Sequence, residues 1–195
     1  MSTLLEYVWI ILGSTLFGLQ HSGLSHLPVK HRIIERWGKS GYALIFKMTS
    51  AAALAVAFLS MWFWDWLYFL NFTLVNWFSI FFGAMLIVFG LVVSAAASQI
   101  ISVSTVADMR ADRQPELITH GIYSRIRHPL YLATVAIFSG LALLYPFPRV
   151  IVFSIAMSAY TIIGAVLEER KLIIQYGESY EEYKNQAGFL LPHLR

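Results

Sequence analysis

The sequence predicts an all-α integral membrane protein with about five transmembrane helices, a C-terminal helical hairpin and a cytoplasmic amphipathic tail. Of its 195 residues, 58% are hydrophobic and 13% are charged, and the mean hydropathy is +0.65, which is too apolar for an ordinary soluble domain. The apolar residues also fall in runs that approach the roughly 17 to 25 residues a helix needs to cross a bilayer. We expect residues 1–195 to form a single membrane domain.

Five runs supply the predicted spans, and each is expected to be helical because lipid offers backbone groups no other partner. They are Leu4–Gln20, Tyr42–Trp64, Val75–Ser98, Leu130–Tyr145 and Val150–Leu167. The first lacks a basic leader and a small-residue cleavage site, so we expect a retained helix. Between the last two, Pro146 and Pro148 stop one helix and start the next, which predicts a tight hairpin.

Charge distribution predicts the topology. Most of the 14 lysines and arginines fall in loops that five spans place on one side, so the N-terminus is expected outside and the C-terminus in the cytoplasm. The net charge of +3 therefore reflects topology, and no nucleic-acid partner is expected. The absence of cysteine excludes disulfides, thiolate zinc sites and cysteine nucleophiles. The loop of residues 101–116 is long enough to cover a cytoplasmic site, or it is a plain connector.

Histidines in the first connection do not predict a metal site. His21, His26 and His31 recur every five residues, whereas neighbours on one helical face are three or four apart. An ordinary hydrogen-bonded role is the simplest interpretation of a histidine at a helix end. His21 at membrane depth is nevertheless costly enough to be a functional candidate if it faces the bundle.

The start of the fourth span predicts an anion site. Gly121 permits a backbone conformation that other residues avoid, Pro129 suits the first helical turn, and His128 precedes it at the cap position. Free N–H groups at this helix start, with Arg125 and Arg127 beside them, would attract a carboxylate or phosphate. The alternative is that the arginines bind lipid headgroups.

An acidic pair, Glu168 and Glu169, ends the last span, and a hairpin would bring it next to the start of the fourth helix. The acids could serve only as caps or ion-pair partners. Together with the anion site, and with Tyr123 and Tyr131 for a flat ring or an onium group, they would suit a zwitterionic nucleotide-like ligand. S-adenosylmethionine has a carboxylate, an ammonium, a sulfonium and an adenine, so it matches all of these parts.

These residues form a recognisable series: Leu-x-Thr-x-Gly-x-Tyr at 117–123, Arg-His-Pro-x-Tyr at 127–131, the Glu pair, Gly-x-x-Tyr-x-x-Tyr at 177–183, and Pro192. The series resembles the integral-membrane methyltransferases typified by isoprenylcysteine carboxyl methyltransferase and the phospholipid N-methyltransferases. The resemblance covers about residues 117–192, which would be the cofactor-binding region. Ala133 departs from it, because such proteins commonly have glycine there.

The resemblance implies methyl transfer from S-adenosylmethionine, bound on the cytoplasmic side, to a lipophilic acceptor that enters from the bilayer. Arg127, His128 and Tyr131 would hold the nucleoside and carboxylate end, and Glu169, with Glu168, the ammonium. Arg127 and Glu169 are the candidate catalytic residues, and no catalytic base is assigned. The cofactor-binding candidates are Gly121, Tyr123, Arg127, His128, Pro129, Tyr131, Glu168 and Glu169.

Two alternatives stay open at this point. Residues 20–46, beginning Gln-His-Ser-Gly, resemble the NnrU-like membrane proteins, and that relation would make His21 and His128 haem ligands of an isomerase or redox protein. The other alternative is a non-enzymatic, lipid-binding membrane subunit. A prenylated cysteine, a phospholipid amine, a small thiol such as methanethiol and a quinone-like lipid are all compatible acceptors. The oligomeric state is also open.

Overall fold

A computed structural model describes residues 3–61, 76–100 and 117–193, and within these ranges the regular structure is helical. A 3₁₀ turn at Gly121–Ser124 precedes α4, and the predicted cover at 101–116 lies outside the described residues. The helices are α1 (Thr3–Ser25), α2 (Leu27–Leu59), α3 (Trp77–Ile100), α4 (Pro129–Leu144), α5 (Pro148–Tyr176) and α6 (Glu178–Gln186).

The structure confirms the all-α membrane class. By length and composition, Pro28–Leu59, Trp77–Ile100 and Pro148–Tyr176 qualify as membrane spans, and Pro129–Leu144 is a shorter apolar helix. Much of the apolar surface is exposed, as lipid-facing helices require; Trp77 and Phe78 of α3 are examples. The count of five spans stays a prediction.

One helix boundary was predicted wrongly. The second helix was expected to begin at Tyr42, but α2 begins at Leu27, directly after α1. Pro28 occupies its first turn, where a missing N–H costs nothing, and the polar residues that follow are compatible with helix. Gly38, with φ of +70°, breaks the helix internally and separates the polar first part from the apolar second part.

Contacts between helices place them in the order α2, α1, α5, α4 and α3. A buried apolar cluster joins α1, α2 and α5 and includes Ile10, Ala57 and Phe153. As predicted, α4 and α5 form a hairpin across residues 145–147, so the start of α4 and the acidic pair of α5 lie together. α6 follows Gly177, which ends α5 with φ of +57°.

The pairing of α3 with α4 depends on small residues. A Cβ atom on Gly83 would lie 2.8 Å from the Gly140 carbonyl oxygen, and one on Gly140 would lie 2.6 Å from that of Gly83. Farther along, a Cβ on Gly90 would lie 2.7 Å from the carbonyl oxygen of Ala133. Without a hydrophobic driving force between helices in lipid, such close backbone approach is what stabilises their pairing.

We expect Gly83→Leu to separate α3 from α4 and to lower the free energy of unfolding by about 1–3 kcal/mol, because the added atoms have no space. Thermal unfolding in detergent measures this effect. Ala84→Leu is the matched control, since Ala84 is exposed on the same helix. Equal melting temperatures for the two variants would contradict the close pairing.

Candidate active site

The segment before α4 is held by the end of the chain. Ile126 and Gly188 form a parallel bridge, in which the Arg127 N–H donates to the Gly188 carbonyl at 2.8 Å and the Gly188 N–H donates to the Arg125 carbonyl at 3.0 Å. A Cβ on Gly188 would lie 1.8 Å from the Leu191 carbonyl oxygen, so the turn requires glycine. Residues 187–191, here called the C-terminal strap, therefore form one wall of the site.

A single carboxylate oxygen lies at the centre of the site. Oε1 of Glu169 accepts hydrogen bonds from Arg127 Nε at 2.7 Å, His128 Nε2 at 3.2 Å and the Tyr180 hydroxyl at 3.3 Å. These donors come from the start of α4 and from α6, while Glu169 belongs to α5. One oxygen therefore joins three parts of the chain, and among the described residues the other oxygen, Oε2, has no hydrogen-bond partner.

The Arg127 side chain is only 8% exposed, and most of its hydrogen bonds go to the tail. Besides its bond to Glu169, its Nη1 donates to the carbonyl of Lys184 at 3.1 Å and to that of Ala187. Its guanidinium also lies 5.9 Å from the centre of the Phe189 ring. Within the described chain, Nη2 is the nitrogen left without a hydrogen-bond partner.

His128 lies between two aromatic rings and two acids. Its ring centre is 5.4 Å from that of Tyr131 and 5.1 Å from that of Phe189, both edge to face. Burial lowers the pKa of His128, although Glu168 and Glu169 raise it in part, so the imidazole is neutral at neutral pH. Because a carboxylate only accepts, Nε2 carries the proton that bonds Glu169.

The neutral ring creates an unusual pair of facing acceptors. With its proton on Nε2, the Nδ1 atom of His128 presents a lone pair, and Oε2 of Glu168 lies 3.9 Å away from it. The side chain of Glu168 is 43% exposed, whereas that of His128 is 3% exposed. At this separation, one donor between the two acceptors could hydrogen-bond to both.

A tyrosine cluster supports the site from the tail. The Tyr183 hydroxyl donates to the Tyr123 carbonyl at 2.5 Å. The Tyr180 and Tyr183 rings pack edge to face against each other, and Ala187 completes this buried cluster. Burial raises the pKa of Tyr123 and of Tyr183 to about 12, so both phenols stay protonated and can donate.

Most of the predicted residues do meet in space. Arg127, His128, Tyr131, Glu168 and Glu169 lie together, and Pro129 is buried as the first residue of α4. Arg127 and Glu169 contact each other, although the sequence had assigned them to opposite ends of a cofactor.

Two predicted residues have local structural roles. Gly121 has φ of +63°, and a Cβ there would lie 2.3 Å from Ile100 Cδ1, so it shapes the turn. Tyr123 is buried, and its backbone carbonyl accepts the hydrogen bond of the Tyr183 hydroxyl. Sequence reasoning missed Gly188 and Phe189 of the strap, because no local motif indicated that the strap pairs with the start of α4.

His21 lies in a different place from His128. Its ring neighbours are Phe17 and Phe46, and those of His128 are Tyr131 and Phe189. Across residues 3–61, 76–100 and 117–193, no group of three or more metal-binding side chains is arranged to hold an ion. The two histidines therefore share no aromatic neighbour among these ring contacts, and the haem alternative stays a hypothesis.

Removal of the Arg127 side chain should release the strap. In Arg127→Ala, Glu169 loses its buried cationic partner, which typically costs about 3–5 kcal/mol, and two tail carbonyls lose their donor. Hydrogen exchange should show lost protection at the Ala187 and Gly188 amides. Arg125→Ala is the control, because the Arg125 side chain is exposed. Unchanged protection in Arg127→Ala would contradict the assigned role.

Comparison with known proteins identifies the family to which the chain belongs. The family model for phospholipid methyltransferase matches residues 78–179, which is more than half of the chain and includes α3, α4 and α5. No solved structure shows a significant match.

Named relatives match over a shorter stretch. A methanethiol S-methyltransferase of Pseudomonas deceptionensis is 33% identical over 78 residues, covering 38% of this chain and 28% of the relative. A methanethiol S-methyltransferase of Pseudomonas sp. (strain GM41(2012)) is 31% identical over 87 residues, which cover 43% of this chain and 31% of the relative. Methanethiol S-methyltransferase 1 of Bradyrhizobium diazoefficiens is 31% identical over 81 residues, which cover 42% of this chain and 28% of the relative. The match thus spans under a third of each relative, and the family model carries the assignment: this chain belongs to the phospholipid methyltransferase family.

Proposed function

We propose that the protein is an S-adenosylmethionine-dependent membrane methyltransferase that acts on a small thiol. The observation that carries the proposal is the pair of facing acceptors, His128 Nδ1 and Glu168 Oε2, 3.9 Å apart at a half-exposed position. A cationic N–H donor between them would bond to both, and an ammonium group is such a donor. The cofactor carries one, and family membership supports methyl transfer as the reaction.

The remaining groups fit the rest of the cofactor. Arg127 Nη2 would receive its carboxylate, since the other guanidinium nitrogens are already bonded to Glu169 and the tail. Edges and faces of Tyr131 and Phe189, on either side of His128, would contact the flat adenine or the sulfonium. Oε2 of Glu169 would accept from a further polar group of the ligand.

Arg127 and Glu169 therefore act chiefly by positioning. Their ion pair fixes the start of α4, the acid-bearing part of α5 and the strap relative to one another. A site held in this way needs little reorganisation when it binds the cofactor. When bound, the cofactor supplies an activated methyl group on its sulfonium. The protein's contribution is alignment of acceptor, methyl and sulfur with exclusion of water.

The membrane setting supports the choice of acceptor. The helices that carry the site expose apolar side chains, as lipid-facing helices do, and a small uncharged thiol enters lipid readily. The matched relatives are named for methanethiol, and we assign the same acceptor class to this chain. We also propose that the site faces the cytoplasm, with the N-terminus outside, because the basic loops collect on that side.

Replacement of Glu168 should weaken the cofactor complex without disturbing the fold. In Glu168→Gln, the ligand's ammonium loses a hydrogen bond to a charged group. The affinity for S-adenosylhomocysteine should therefore be about ten- to a hundredfold lower than that of the unmodified protein. Calorimetric titration in detergent measures it. Glu178→Gln, on the exposed start of α6, is the matched control. Equal affinities in the two variants, or no binding by the unmodified protein, would remove the assigned site.

Cofactor affinity should also depend on pH through His128. Burial holds its pKa below 6.5, so the acceptor pair is intact above that pH. Below the lowered pKa, protonated Nδ1 bonds Glu168 directly and competes with the ammonium, and affinity should fall by about tenfold per pH unit. Calorimetry at a series of pH values measures the profile. Affinity that rises on acidification would contradict a neutral His128.

A further inference from the structure

A second polar cluster lies at the end of α1, outside the cofactor site. The Gln20 side-chain amide donates to Thr49 Oγ1 on α2 at 2.8 Å. The hydroxyls of Ser22 and Tyr160 are hydrogen-bonded at 2.9 Å, and Tyr160 lies on α5. These contacts join the three helices at one level, and none of these residues takes part in holding the cofactor.

Three side-chain atoms at this level are buried without a partner in the described chain: Nδ1 of His21, Oε1 of Gln20 and Oγ of Ser50. A buried polar atom without a hydrogen bond is costly, and native proteins usually pair such atoms with an ordered water, an ion or a ligand. His21 and Gln20 are neighbours on α1, and Ser50 follows Thr49 on the facing helix. These unpartnered atoms lie on the facing segments of α1 and α2 that the Gln20–Thr49 and His21–Phe46 contacts bring together, and they can hydrogen-bond to a small ligand.

The surroundings define the ligand's chemistry. The His21 ring lies 5.6 Å from Phe17 and 5.0 Å from Phe46, and Phe17 contacts Tyr160 edge to face at 5.9 Å. The polar groups of the cluster are hydroxyls, amides and one imidazole, so it offers no full charge to bind an ionic group. A small, weakly polar molecule with one acidic proton fits apolar walls with a few hydrogen-bonding atoms.

The cluster adjoins the cofactor site through two tyrosines. Gly164 lies one turn after Tyr160 on α5, and a Cβ there would be 3.4 Å from Tyr131 Cε1. Tyr131 therefore lies against the part of α5 that carries Tyr160. Tyr131 packs on His128 in turn, so a continuous line of side chains runs from the cofactor site to the Ser22–Tyr160 pair.

We infer that this cluster binds the methyl acceptor as a small thiol and that Nδ1 of His21 accepts its proton; the inference rests on the function proposed above. The acceptor sulfur forms a bond to the methyl carbon while the bond from that carbon to the sulfonium sulfur breaks. The S–H proton passes to His21 and then to water. The products are a methyl thioether and S-adenosylhomocysteine, and no oxidant or reductant is needed.

The role of His21 as proton acceptor gives a specific kinetic signature. Loss of a general base typically lowers the rate by about a hundredfold or more, so kcat/KM for methanethiol should fall by that factor in His21→Ala at neutral pH. As pH approaches the thiol's own pKa, the thiolate forms without a base and the deficit should shrink. The aromatic rings around His21 connect it to further titratable groups: Phe17 contacts Tyr160, Phe46 contacts Tyr42, and Lys30 lies over the Tyr42 ring.

The experiment measures methyl transfer to methanethiol over a range of pH for the unmodified protein, His21→Ala, Tyr160→Phe and the control His26→Ala, whose side chain is exposed. Tyr160→Phe should raise KM for the thiol, and His26→Ala should match the unmodified protein. Unchanged calorimetric affinity for S-adenosylhomocysteine in each variant would show that the cofactor site is intact.

The outcomes separate the two proposals. If His21→Ala keeps the unmodified kcat/KM, or if its deficit is the same at every pH, His21 is not the proton acceptor and the inference is overturned. A deficit matched by an equal loss of S-adenosylhomocysteine affinity also overturns it, because His21 would then act on the cofactor site. If the unmodified protein binds the cofactor but methylates no thiol, both this inference and the proposed acceptor fail.

Discussion

Oε1 of Glu169 is the point on which the site depends. It accepts three hydrogen bonds, from Arg127, His128 and Tyr180, and so joins α5 to the start of α4 and to the tail. These donors lie 11 to 42 residues away along the chain. A buried charge must be paired and hydrogen-bonded to be tolerated, which explains why a largely buried carboxylate is tolerated on a helix this apolar.

The strap follows from the same interaction. Arg127 bonds Glu169 with one nitrogen and the carbonyls of Lys184 and Ala187 with another, so the chain end is drawn back over the site. Glycine at 188 permits the turn, and Phe189 then lies against His128. Residues 187–191 are therefore a wall of the site, supported by the Tyr183 hydroxyl bond to the Tyr123 carbonyl.

Sequence reasoning recovered what depends on local pattern or on the hairpin. Apolar run length predicted the class, the prolines at 146 and 148 predicted the hairpin, and the hairpin predicted that Glu169 would lie near Arg127. It failed at Leu27, because the polar residues of this segment were taken for a loop, whereas Pro28 suits a first helical turn and the segment is helical up to the break at Gly38.

Two further features could not be read from local pattern. The Gly83–Gly140 contact pairs helices far apart in sequence, and nothing local identifies which small residues meet. The role of Arg127 in holding the tail depends on backbone carbonyls, which carry no side-chain signal. The unpartnered atoms around His21 are likewise a property of three packed helices.

The measurement that tests the account most directly is a methyl-transfer assay on the unmodified protein in detergent, with methyl-labelled S-adenosylmethionine and methanethiol. The account predicts that labelled dimethyl sulfide and S-adenosylhomocysteine form in equal amounts and only when both substrates are present. Cofactor that is bound but never passes its label to a thiol would contradict the assigned reaction.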